Sequence, residues 1–105
     1  MSRCTDLDRT AVLDALRSLG GAVPRRAVWD VAFREGRYID VGRVGQCLRE
    51  LERHGLAFAN DGNGTLARWG GLRRGGYWST RESLERSYGY GPAELGPAAP
   101  QNSRS

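Results

Sequence analysis

The chain has 105 residues and a formal net charge of +4, enough for one domain around a single modest core and too little for two. Its 16 basic residues are all arginine, whose planar fork of donors grips phosphate and guanine edges better than an ammonium does; such a surplus favours polyanionic partners. Nothing approaches a signal peptide or the ~20 apolar residues of a membrane span, and Cys4, Cys47 and the lone His54 have no metal-ligand spacing. The expectation is a soluble cytoplasmic protein with reduced thiols, no cofactor and no membrane partner.

A first helix is expected from Asp6 to Leu19. Thr5 with Asp8 three residues later is a weakened capping box, and Asp6 and Asp8 suit the positive helix start. Leu7, Ala11, Val12, Ala15, Leu16 and Leu19 recur along one face, and Gly20 with Gly21 ends the run. Ala22 and Val23 leave room for only a stub of strand. Pro24 fits the first turn of a second helix, where its missing N–H costs nothing. That helix turns Val28, Val31 and Ala32 inward, packs Trp29 at the core edge and finishes at Gly36.

Asp40 is a good N-cap for a third helix that Gly55 closes, with Arg53 and His54 near its negative end. Val41, Val44, Leu48 and Leu51 form its apolar stripe. Arg43, Gln46 and Arg49, spaced three apart, are read as one outward face, with Arg53 beyond them and Glu50 and Glu52 softening the charge of the second half. Gly42 and Gly45 each cost such a helix roughly 1 kcal/mol relative to alanine. Either they permit close backbone approach to a ligand, or they mark a helix with another role.

Residues 56–59 read as a strand, and 60–64 as a turn cluster carrying both Asp-Gly and Asn-Gly hairpin signals. A returning strand over 65–69, a glycine-rich loop over 70–76 and a strand over 77–80 follow; a three-stranded meander and one long hairpin both fit. Trp69, Tyr77 and Trp78 are expected to complete the core rather than stack on bases. Ser79 with Glu82 is a capping box for a last helix ending near Tyr88. The remainder, GYGPAELGPAAPQNSRS, has no packing face and is expected to be a disordered tail. The chain thus divides into an extension (1–5), a domain (6–88) and a tail (89–105). No paired carboxylates, nucleophile–base arrangement or P-loop is visible, so no catalytic residue is assigned and an enzyme is not expected.

The order helix, stub strand, helix, helix, hairpin, together with LRELERHGLA, GGYWSTRE and the spacing of Ala32 and Gly36, resembles the winged helix-turn-helix superfamily over residues 6–84. The resemblance implies an α+β fold: a three-helix core, a β-hairpin wing and a short C-terminal helix. It further implies duplex DNA binding as a small bacterial or phage transcriptional regulator. The third helix would lie in the major groove with Arg43, Gln46 and Arg49 nearest base edges. Arg25 and Arg26, at the start of the second helix, would clamp phosphate, and Arg53 would join them. Arg73 and Arg74 would form the wing tip, if that tip is 70–76 rather than 60–64. A homodimer through the first or last helix would suit paired half-sites. Gly42 and Gly45 depart from the family pattern, and there is no sensor domain. The alternative is a winged-helix module that binds a protein partner and no DNA.

Overall fold

Extended backbone at Thr5 and a hydroxyl that accepts from Asp8 N at 3.1 Å start the first helix where capping chemistry places it. The computed structural model describes residues 4–67 and 76–97. Within them the elements run α1 (Asp6–Leu19), α2 (Arg25–Arg34), α3 (Val41–Arg53), β1 (Ala57–Asn60), β2 (Tyr77–Thr80), α4 (Arg81–Tyr88) and α5 (Pro92–Leu95). The architecture is α+β.

Val12, Ala15 and Leu16 of α1 are buried, whereas Leu7 is 68 % exposed. Its expected place on the stripe is taken by Asp8, a carboxylate that is almost fully buried. Gly20 ends α1 at φ 68, its N–H reaching Leu16 O. Pro24 stands just before α2 as its extended N-cap rather than inside the first turn. Val28 and Ala32 bury α2, and the Trp29 indole donates to Ile39 O at 2.7 Å, tying α2 to the turn that enters α3. Asp40 caps α3 through its carboxylate, which accepts from Arg43 N at 2.6 Å. Val44, Cys47, Leu48 and Leu51 then close the core against α1 and α2. Each fully buried valine or leucine contributes about 1.5–3 kcal/mol, so the stripe outweighs the ~1 kcal/mol cost of each glycine in α3.

β1 and β2 pair antiparallel from Ala57↔Thr80 to Asn60↔Tyr77. Val23 adds a one-residue bridge on the far side of β2, exchanging both backbone hydrogen bonds with Trp78 at 3.0 and 2.7 Å. Of the strand expected over 65–69, residues 65–67 are described, and they do not pair as a strand. Leu66 makes one isolated bridge to Asn60, and Ala67 is already helical. The cause is local: the Asp61 carboxylate accepts from the N–H groups of Asn63 and Thr65, curling the chain into a tight turn.

Three further expectations are corrected. Thr80, not Ser79, caps α4, accepting from Ser83 N; Ser79 is buried opposite Phe58 in the sheet with its hydroxyl bonded to Asn60 Nδ2. Residues 89–97, read as the start of a tail, pack on the domain. Leu95 joins Phe58, Leu66 and Leu84 in a second apolar cluster, the Tyr90 hydroxyl donates to Gly64 O at 2.7 Å, and Arg81 donates to Gly96 O. Composition hid this because one leucine and one tyrosine suffice to anchor so short a segment. Finally, Cys4 and Cys47 are not reduced thiols but form a disulfide that ties the residue before the α1 cap to the buried side of α3. Among the described residues no helix is long and apolar enough to cross a membrane.

Candidate functional site

Sorting the arginines by what holds them separates structural cations from available ones. Arg9 is bonded to Asp6 and to Glu50 of α3, Arg17 to Glu82, Arg34 to Asp30, and Arg81 to Glu85. Arg37 and Arg43 converge on Asp8, at 2.8 and 3.2 Å. Burial opposes ionisation of Asp8, but the Arg37 guanidinium and the Thr5 hydroxyl and backbone outweigh it and hold its carboxyl below the usual aspartate range. Burial also opposes ionisation of Glu82, which its own backbone N–H, Arg17 and Thr80 nevertheless keep below the usual range. Arg25, Arg26, Arg49 and Arg53 have no carboxylate partner among the described residues.

The spacing of three does not put Arg43 on one face with Arg49. An α-helix turns about 100° per residue, so Arg43 and Arg49 point in quite different directions. Arg43 lies on the flank that faces α1, with its side chain 30 % exposed and bonded to Asp8. The outward face of α3 is Gly42, Gln46, Arg49 and Arg53, all exposed and spaced by four, three and four. No carboxylate interrupts it: Glu50 turns aside to Arg9, and Glu52 accepts from Ala59 N.

Arg49 also lines a cleft of about 510 Å³ between α2, α3 and β2, together with Pro24, Arg25, Arg26, Val41, Gly45, Gly76 and Trp78. Arg25 reaches it by lying across α3 at Gly45. A Cβ built on Gly45 would stand 2.7 Å from Arg25 Nη1 and 3.1 Å from its Cδ. Arg26 sits over the Trp29 ring at 5.8 Å, a cation–π contact that leaves its charge in place. The first turn of α2 contains no acidic residue. Three guanidinium groups around one opening give it a positive field whose chemistry suits an anion. By contrast, a smaller cleft holding Arg17 and Arg86 also holds Glu82, which offsets the charge.

Of the sequence-assigned residues, Arg25, Arg26 and Arg49 thus meet in one cleft. Gln46 and Arg53 flank it on the outer face of α3, and Arg43 is elsewhere. Arg73, Arg74 and Trp69 lie outside the described residues, though Gly76 and Trp78, which follow them in the chain, wall the cleft. Sequence reasoning missed the role of Gly45, for which no linear signal exists. It also missed Asp8, which had one: a carboxylate four residues before Val12 on a buried line must find cationic partners. Among the described residues no group of histidine, cysteine and carboxylate side chains is arranged for a metal ion. No protein-family model, curated protein or solved structure matches this chain.

Proposed function

We propose that this chain is a winged helix-turn-helix domain that binds duplex DNA as a small transcriptional regulator. α3 would enter the major groove, and Arg25 and Arg26 would hold the backbone. One observation carries the reading: the only face of α3 turned to solvent has no carboxylate, and it runs through Arg49 into the cleft of uncompensated guanidinium groups. Open glycine at position 42 suits close approach of the α3 backbone, since nothing beyond an ordinary contact with Asp40 surrounds it. The three-helix core with β2 returning beside β1 accords with the wing arrangement, whose tip would carry Arg73 and Arg74. The reading puts the protein in the cytoplasm, where cellular reductants would act on the Cys4–Cys47 bridge.

Titrating a mixed-sequence duplex at rising salt tests this. Each neutralised phosphate contributes about −0.9 to the slope of log K against log salt, so a slope of roughly −3 or steeper is expected from the cleft and α3. Absent binding at low salt, or a flat slope, would discard it.

A second reading, a protein-interaction module, draws on a different surface. Trp29, Phe33 and Tyr38 form a ladder of rings with centroids 5.2 and 4.8 Å apart, and Phe33 and Tyr38 are 42 % and 75 % exposed. Exposed aromatic patches of this kind are common at protein contacts.

A further inference from the structure

We propose that the cleft between α2, α3 and β2 is a seat for one phosphate group. Arg25, Arg26 and Arg49 would hold it, and Gly45 would be the positioning residue that lets Arg25 reach it. The inference deepens the duplex reading and rests on it for the source of the phosphate, a backbone phosphodiester. It also moves Arg49 from base edges to the backbone, leaving Gln46, beside bare Gly42, as the α3 side chain that meets bases. Glutamine pairs through two hydrogen bonds with adenine in the major groove.

Three observations converge on the seat. First, the three guanidinium groups that line the opening have no carboxylate partner among the described residues, while Arg43, Arg37, Arg9, Arg17, Arg34 and Arg81 are all ion-paired. Like charges around one opening repel each other, and a single anion between them adds an attraction to each that offsets this repulsion. Second, Gly45 lacks a backbone reason to be glycine. It is mid-helix and is not among the residues with positive φ, so its ~1 kcal/mol propensity cost is matched by what its missing side chain allows: the stem of Arg25 lying flat on α3. Third, Pro24, Val41 and Trp78 wall the cleft with apolar surface, and low-dielectric walls concentrate the field of the cations.

Gly45→Ala separates geometry from charge. The three atoms nearest the new methyl among the described residues all belong to the flexible Arg25 side chain, so the fold survives with an unchanged or higher melting temperature while the guanidinium is displaced. Affinity for every duplex should fall about tenfold and the salt slope should become shallower by about one. Arg25→Ala should do the same, and the double variant should be no worse than either alone. Arg49→Ala should lose affinity without regard to sequence, whereas Gln46→Ala should change preference at particular base pairs. Unchanged affinity and slope in Gly45→Ala, or altered base preference in Arg49→Ala, overturns the seat.

A second arm titrates inorganic phosphate against the arginine Nε–H resonances. Shifts confined to Arg25, Arg26 and Arg49, and weakened in Gly45→Ala, are expected. If those shifts appear but no duplex binds, the duplex reading falls and the seat stands, with a free phosphate ester as its ligand. If duplexes bind without regard to Arg25 and Gly45, the seat falls and the duplex reading stands.

Discussion

Arg43 leans from α3 onto Asp8 of α1, while Arg49, further along the same helix, projects into the cleft that Arg25 and Arg26 share. Same residue type, same helix, and a different fate, decided by which side of the cylinder each occupies. The flank facing α1 is a closed electrostatic system. Asp8, buried and ionised, is held by Arg37 and Arg43, and Glu50 is held by Arg9. The outer face has cations without counter-charges among the described residues. Basic residues are therefore informative about a binding surface only once those consumed within the fold have been subtracted.

The two sides should separate cleanly in measurement. The largest effect belongs to the inward side, through the disulfide. Cys4 and Cys47 are 43 residues apart, and closing a loop of that length stabilises by about 4 kcal/mol in the chain-entropy account. Reduction by dithiothreitol, or Cys4→Ala, should lower the urea midpoint accordingly. A midpoint indifferent to reductant would show that the bridge does not tie the terminal segment to α3 in solution.

Next comes Asp8→Asn, which leaves both arginines without their carboxylate and should cost about 2 kcal/mol at neutral pH. The pH dependence has a definite sign. The folded carboxyl titrates below the ordinary aspartate value of about 3.9. Its contribution is therefore complete above that pH and is lost as pH falls through the lower folded value. Wild type and variant should converge in stability as acid protonates the carboxyl; a gap that persists once it is protonated would mean the loss is one of packing rather than charge.

The smallest effect on stability, and the sharpest contrast, comes from the two arginines themselves. Arg43→Ala should cost about 1 kcal/mol of stability and leave the salt slope of duplex binding in place. Arg49→Ala should stay within about 0.5 kcal/mol in melting but make that slope shallower. The opposite pattern would exchange the roles of the two sides.

Much of the fold is legible in the chain because its signals are local. Thr5, Asp40 and Gly20 mark helix ends through hydrogen bonds or φ values that involve only near neighbours. The stripe Val44, Leu48 and Leu51 announces its buried side by spacing alone. Local reading fails where two partners compete for one residue. Ser79 and Thr80 both suit a cap, and pairing with Phe58 and Asn60 draws Ser79 into the sheet. Leu95 looks stranded in a proline- and glycine-rich run until Phe58, Leu66 and Leu84 surround it.

The candidate site divides along the same line. That arginines would be exposed near the start of α2 and along α3 follows from composition and helical period. Which of them remain uncompensated depends on Asp8 and Glu50 reaching across from other turns and helices, and on Gly45 leaving Arg25 a path over α3. Helical period acts over a few residues and survives in a linear string. Charge pairing and steric clearance act between segments far apart in the chain, so only the packed molecule decides them.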